Sequence, residues 1–541
     1  MGDKAILTEV LEASNLTDTY SNLTSTSILR QLKHTSTGSG SHHNESAIRY
    51  EGLEDEKVEI EAEHRVEEAP SEQTFTVDDC VEYLGFGRFQ VKLSILTGIA
   101  WMADAMEMMI LSIISPALNC EWEISAVQQA MITTVVFSGM MLSSTVWGKV
   151  CDVFGRRTGL MLSALLTFSM GALSAIAPNF NTMLLLRGLT GIGIGGVPQS
   201  VTLYAEFLPS AQRAKCVVLI EAFWAVGAAF EALLALFIME TWGWRWLLVF
   251  SALPLLFFSF SCFWLPESAR YYMASGRPEM ALKTLQKVAR ENGKMLPEGK
   301  LIDRAIHKSQ SRGNFVSLFV PNLRTTTILL WFIWMCNAFC YYGIVLFTTV
   351  LFQSTDECHG GHPLNETLNT TASECRPLVQ ADYFDLLSTT LAEFPGLIIT
   401  ATVIEFLGRK KTMALEFSVY SVFTFLLVFC LDRRLVTAFI FIARAFISGA
   451  FQCVYVYTPE VYPTTLRALG LGTSSAMARL GAIVTPFVAQ VAAGQNVLIP
   501  IVTYGLSAVA GVIASMALPI ETKGRQMMVS TRHAQSHLYY F

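Results

Sequence analysis

The sequence predicts an all-α membrane protein of twelve transmembrane helices in two six-helix repeats. Three observations predict it: apolar runs long enough to cross a bilayer, a one-sided distribution of Lys and Arg between the loops, and motifs that return about 253 residues later. The chain has 541 residues, of which 52% are hydrophobic and only 15% charged. A soluble domain carries nearer a quarter charged residues.

A bilayer core of about 30 Å needs roughly 20 apolar residues per helix. Such runs fall near 92–116, 126–147, 158–178, 181–203, 215–239, 244–265, 324–352, 381–404, 410–431, 434–457, 468–493 and 497–518. They divide the chain into an acidic tail (1–75), a first six-helix half (76–265), a linker (266–323), a second half (324–518) and a short tail (519–541). The acidic tail, with Glu51, Glu54, Asp55, Glu56, Glu59, Glu61, Glu63, Glu67 and Glu68, is too polar to bury a core and reads as disordered. It supplies most of the net charge of −6, which therefore says nothing about nucleic acid; none is expected as a partner. Thr76 with Asp79 has the spacing of a capping box, and Gly85 stops the short helix that follows. In the linker, Pro278 opens and Gly293 closes an amphipathic helix.

Loop charges give an orientation. One set of loops holds 23 Lys and Arg; the opposite set holds only Arg245, Arg376, Arg433 and Arg434. The first set, with both termini, is predicted to be cytoplasmic. The largest loop on the other side, 354–380, contains the glycosylation acceptors Asn365 and Asn369. Cys358 and Cys375 share that loop and can either form a disulfide or stay free. The eleven cysteines show no metal spacing, so no metal is expected.

Three landmarks recur in the same order. Asp152-Val-Phe-Gly-Arg156-Arg157 returns as Glu405-Phe-Leu-Gly-Arg409-Lys410. Glu206 with Arg213 returns as Glu460 with Arg467, both in E-x-x-P-x-x-x-R. Leu265-Pro266-Glu267 returns as Leu518-Pro519-Ile520-Glu521. Each pair follows the same helix of its half. A duplicated six-helix unit of this kind can rock around a central site. The acids at the tight turns can pair with the nearby cations and gate the cytoplasmic face by holding the two halves together. Positive-inside topology accounts for the basic residues alone, without the repeated acids and prolines.

Gly148-x-x-x-Asp152-x-x-Gly155-Arg156-Arg157, Pro266-Glu267-Ser268-Ala269-Arg270 and Pro519-Ile-Glu-Thr-Lys-Gly524 resemble the signature of the major facilitator superfamily, in its sugar and organic-ion branch. Trp101-Met-Ala-Asp-Ala-Met-Glu107, Gly196-Val-Pro-Gln-Ser-Val-Thr-Leu-Tyr-Ala-Glu206 and Tyr457-Thr-Pro-Glu-Val-Tyr-Pro463 are similar to vesicle-membrane members of that superfamily over about residues 75–541. Glu405 departs from the Asp that many members carry, with the charge preserved. The resemblance implies the major facilitator fold, secondary-active transport of a small-molecule solute, and a synaptic or secretory vesicle membrane. It also leaves adenine nucleotide open as a ligand.

A charge at the bilayer centre costs about 2.5–3.5 kcal/mol on insertion scales, so each needs a partner, water or a task. Asp104 and Glu107 are three residues apart on one helical face. They are candidates for binding a cation or coupling protons, the alternative being a structural ion pair with Arg187 or another buried base. Glu231 and Glu393 add two further buried acids. Arg479 stands at a position that, in related organic-ion carriers, the resemblance associates with substrate charge; an arginine there implies an anionic group on the substrate. The alternative is a permanent bridge to Glu393. Tyr341 and Tyr342 can stack on a ligand or pack between helices.

Gly188-x-x-Gly191-x-Gly193-x-Gly195-Gly196 is no dinucleotide fingerprint, since no strand precedes it; small residues letting helices approach is the better reading. There is no P-loop and no nucleophile beside a base, so enzyme chemistry and bound cofactors are not expected, and a proton or other ion gradient must drive any active transport. The leading reading is a secondary transporter of a small organic ion. The other is a transporter-like vesicle protein that binds nucleotide or protein partners and moves nothing.

Overall fold

The computed structural model describes residues 74–302, 315–354, 378–463 and 466–524. Most of the acidic tail, the end of the chain, Asn365, Asn369, Cys358 and Cys375 lie outside these residues. Twelve helical spans follow in order. Spans 1–6 are Arg88–Trp122, Ala126–Phe154, Arg156–Ser174, Phe180–Glu206, Ser210–Ile238 and Gly243–Ser261. Spans 7–12 are Pro321–Gln353, Gln380–Leu407, Arg409–Leu426, Arg433–Val461, Arg467–Gln495 and Leu498–Ala517.

Ten of the helices are long and apolar enough to cross a membrane on their own composition. The other two are spans 3 and 9, the same position in each half. They bury polar side chains, Ser163 and Thr167 in one, Thr412, Glu416, Ser421 and Thr424 in the other, which lowers their apolar content. The repeat extends to packing. Span 1 lies against 5 as 7 lies against 11, span 2 against 4 as 8 against 10, and span 3 against 6 as 9 against 12.

Three spans are irregular. Span 4 breaks at Gly195–Val197 and restarts with Pro198 in the first turn. Span 8 breaks at Ala392, just before Glu393 and Pro395. Span 11 widens into a π-helix over Phe487–Ala492 after Pro486, whose ring cannot continue the regular ladder. The glycines of span 4 do serve close packing: a Cβ on Gly191 would collide with the Val136 carbonyl of span 2.

The turns between spans 2 and 3 and between spans 8 and 9 mark one end of the bundle, called here the motif end. Three short helices gather there: α1 (Val77–Leu84), α2 (Ala269–Ala274) and α3 (Pro278–Asn292). Thr76 and Asp79 cap α1 reciprocally, at 3.2 and 3.0 Å, and Gly293 ends α3 with φ +67°. The only strands among the described residues are β1 (Thr74–Phe75) and β2 (Lys300–Leu301), a parallel pair of two residues each. That pair is a small departure from the all-α expectation.

Candidate functional site

Most of the buried charges fall into two committed pairs and one uncommitted group; Glu416, and Asp382 paired with Arg433 at 2.6 Å, stand apart from these. In the first half, Glu107 of span 1 meets Arg187 of span 4 at 2.8 Å, with both side chains about 1% exposed. Arg187 also donates to Ser174 Oγ at 3.0 Å. Glu231 of span 5 is buried within electrostatic reach of both, and its carboxylate accepts from the Ser251 hydroxyl at 2.7 Å. A buried carboxylate without a cation is strongly disfavoured, so Arg187 is what allows Glu107 to sit there.

In the second half, Glu393 accepts from Arg444 Nε and Nη2 at 3.1 and 3.0 Å. The same oxygen accepts from Tyr341 Oη at 2.9 Å. Tyr341 Oη in turn accepts from Trp224 Nε1 of span 5 at 2.8 Å, so this pair reaches across the seam between the halves. A small cleft, with room for about one water, opens there, lined by Met108, Met109, Trp224, Tyr341, Tyr342 and Arg444.

The uncommitted group is Asp104 of span 1, Glu221 of span 5 and Arg479 of span 11. Asp104 is buried and its Oδ1 has no hydrogen-bond partner. Arg479 Nη1 donates to Ser475 Oγ at 2.7 Å, an intrahelical contact, and its Nε has no acceptor. Glu221 accepts from Gln452 Nε2 across the seam at 3.2 Å. The three charges act on one another, and Tyr342 and Tyr455 lie in the same field.

Two expectations change here. Arg479 does not bridge to Glu393: Arg444 and Tyr341 hold Glu393 Oε1, and Arg479 Nη1 turns to Ser475 of its own helix. Asp104 and Glu107 interact but find different partners: Glu107 pairs with Arg187 inside the first half, while Asp104 is acted on by Arg479 of the second half more than by Glu107.

At the motif end the ion pairs stay within each half. Arg156 pairs with Asp152 at 2.9 Å and with Glu206 at 3.6 Å. Arg409 grips Glu460 with Nε and Nη2, both at 2.9 Å, and Thr522 adds a hydroxyl at 2.6 Å. Glu405 is exposed and reaches Arg409 only at longer range. Arg213 donates to the Leu208 carbonyl at 2.9 Å. Arg157 and Lys410 enter through their backbone amides. Arg156 and Arg157 donate to Glu267, as Arg409 and Lys410 donate to Glu521. The repeated acid is therefore a cap on the start of spans 3 and 9, where helix N–H groups favour a carboxylate. Burial raises the Glu267 carboxyl above its ordinary range, against the pull of the Ser268, Arg157 and Arg156 amides. Gly155 and Gly408 adopt φ +97° and +83°, and a Cβ on either would strike the capping carboxylate.

Sequence reasoning expected these charges to clasp the two halves together. Among the described residues none does. The joins lie elsewhere: Ser115 with Gln490 at 3.1 Å, Thr134 with the Ile483 carbonyl at 3.2 Å, Trp224 with Tyr341, and Glu221 with Gln452. The halves meet from the far end to the middle of the bundle. Toward the motif end no hydrogen bond or ion pair between described residues joins them.

Trp224, Gln452 and Glu416 were not singled out in the sequence. Glu416 had a signal, an acid inside an apolar run; it is buried in span 9 and accepts from Thr400 Oγ1 at 2.6 Å. Trp224 and Gln452 carried none. Cys120 and Cys430, both at the far end, are disulfide-bonded.

Two repeated six-helix bundles with irregular helices and charges at their seam define a major facilitator transporter. The pattern of the family described as "Sugar (and other) transporter" matches residues 48–360, and the chain belongs to that family. It is 64% identical to svop-1 of Caenorhabditis elegans, over 98% of this chain and 100% of that protein. It is 56% identical to the synaptic vesicle 2-related protein of Xenopus laevis, over 85% of this chain and 84% of the relative. The organic cation/carnitine transporter 7 of Arabidopsis thaliana is 36% identical, over 84% and 96%. Among solved structures, the partially occluded inward-open xylose transporter XylE of E. coli superposes with a TM-score of 0.63 at 15% identity, covering 81% of this chain and 99% of that one.

Proposed function

We propose that the protein is a secondary-active transporter of a small organic ion, working by alternating access in a vesicle membrane with its motif end in the cytoplasm. The observation that carries this reading is the uncommitted group on the seam. Asp104, Glu221 and Arg479 come from both halves, and none has a full ion pair. Arg479 suits an anionic group, Asp104 and Glu221 a cationic one. Tyr342 and Tyr455 supply rings and hydroxyls beside them. A neutral sugar would leave these charges without compensation. The organic cation/carnitine transporter among the relatives supports an ion over a sugar.

Glu107, Arg187 and Glu231 form the coupling site in this reading. Two carboxylates stand near one guanidinium, which only Glu107 contacts, so one proton or other cation completes the charge balance. Tyr341 and Glu393 belong to the seam and link substrate binding to the contact with Trp224. The loop charges and the disulfide-bonded Cys120 and Cys430 support the orientation. Disulfides persist on the oxidising side of a membrane, which supports a lumenal far end in this reading.

The test is uptake of pooled organic ions into proteoliposomes, with and without a pH gradient. Asp104→Asn and Arg479→Ala are expected to abolish uptake while the protein stays folded and monodisperse. Normal uptake in both sinks the assignment. If no solute enters under any gradient and a nucleotide or protein partner still binds, the non-transporting reading replaces this one.

A further inference from the structure

Glu416 is a buried acid that neither the seam nor the Glu107–Arg187–Glu231 group uses. It stands in span 9, about two turns in from Arg409 at the motif end, and is 2% exposed. Glu107 and Glu393, equally buried, each hold an arginine. Glu416 holds none among the described residues. Its Oε1 accepts one hydrogen bond, from Thr400 Oγ1 of span 8 at 2.6 Å, and its Oε2 is buried with no partner.

Three helices shape the place around this carboxyl group. Gly449 of span 10 leaves the room: a Cβ there would strike both Thr400 Oγ1 and Glu416 Oε1. The first half has the same arrangement with a smaller side chain. Ser163 follows Arg156 in span 3 at the spacing with which Glu416 follows Arg409, and it lies against Gly196 of span 4. Packing of the repeat therefore does not require an acid at this position.

The charges on the neighbouring helices are taken. Spans 8, 10 and 12 pack against span 9. On span 8, Asp382 and Asp385 hold Arg433 at the far end, Glu393 holds Arg444 of span 10, and Glu405 is exposed. Span 10 also brings Glu460, held by Arg409, and Cys453, one turn beyond Gly449. The Cys453 thiol lies within electrostatic reach of Glu416 and donates to the Arg409 carbonyl at 3.2 Å. Span 12 carries no charged residue, and its Tyr504 hydroxyl donates to the Thr485 carbonyl. Tyr420, one turn along span 9, donates to the Cys340 carbonyl.

A carboxylate inside a bilayer needs a cation or water. Buried without either, the ionised form is far less favourable than the neutral acid, whose remaining cost is a single unmet O–H. In the neutral acid, Oε1 accepts from Thr400 as a carbonyl oxygen and Oε2 carries the proton. We propose that Glu416 is a proton-binding site of the second half, loaded on Oε2 in this conformation and able to release its proton. The site does not depend on what the seam transports.

The experiment titrates the full chain in nanodiscs from neutral to alkaline pH and follows the C=O stretch of neutral carboxylic acids by infrared difference spectroscopy. The parent is expected to show a neutral-carboxyl band that alkaline pH bleaches and that Glu416→Gln lacks at every pH. Glu416→Gln should release one proton fewer per chain over the same range. It should unfold at the parent's temperature, since an amide matches a neutral acid in shape and charge. Thr400→Val, which takes the donor from Oε1, should move the band to higher frequency, and Ser163→Ala in the first half should change none of these readouts. The proposal is overturned if the Glu416→Gln spectra match the parent's, if the band resists every pH at which the protein stays folded, or if Thr400→Val leaves the band in place. If Glu416→Gln does not fold, Thr400→Val decides alone: a shifted band that alkaline pH bleaches supports the site, and an unshifted one overturns it.

Discussion

The two halves bury the same kind of pair and use it differently. Each places an arginine on its fourth helix, Arg187 or Arg444, against a glutamate. In the first half the glutamate comes from span 1 and the remaining contacts, Ser174 and the nearby Glu231, are internal. In the second it comes from the break in span 8, and the pair passes through Tyr341 to Trp224 of the other half. At the motif end the halves agree closely, with a carboxylate cap, a left-handed glycine and an arginine–glutamate pair in each. Duplication has kept the backbone chemistry of the turns, where only certain residues fit. The interior charges have diverged, because a buried charge needs a partner and not a particular one.

That comparison can be broken most severely by removing a buried base. Arg187→Ala and Arg444→Ala each leave a glutamate buried alone, and each should lose about 3–5 kcal/mol of stability. Thermal unfolding of the purified protein measures it. The double variant Glu393→Gln/Arg444→Gln should recover most of the loss, since no lone charge remains. An unfolding temperature unchanged by Arg444→Ala would show that the second pair holds nothing.

The likeness of the turns is tested next. Gly155→Ala and Gly408→Ala force a side chain into a glycine-only backbone region and against the capping carboxylate, at about 1–3 kcal/mol each. Equal losses would support equivalence of the two caps. A loss confined to one half would end it.

The smallest effect separates the pairs. Ser174→Ala and Tyr341→Phe each remove one hydroxyl from a buried network, at about 1–2 kcal/mol. Only Tyr341→Phe should loosen the seam, seen as faster amide exchange around Trp224. Equal exchange in both variants would mean that the second pair is as self-contained as the first.

Much of this was legible in advance. The spans follow from hydropathy, since a bilayer accepts little else. Spans 3 and 9 show how close the margin is: neither reaches the others' apolar content, yet each packs in its half against span 6 or span 12. The repeated acids and prolines were readable because turn chemistry is local. The partners were legible only in part. Arg187 was one base offered for the Asp104–Glu107 face, but with 80 residues between Glu107 and Arg187 nothing along the chain says that Glu107 takes it and Asp104 does not. The clasp expected between the halves is not formed in this structure, where Asp152, Glu206 and Glu460 pair with a cation of their own half.

The sequence by itself determined twelve helices, two halves and the residues of the turns, because periodicity, hydropathy and capping act over a few residues. Tertiary structure alone decided which charges are paired and which are left on the seam. Pairing depends on the angle at which each side chain leaves its helix. Asp104 and Glu107 share one helix, yet Glu107 enters a closed pair and Asp104 is left to the opposite half.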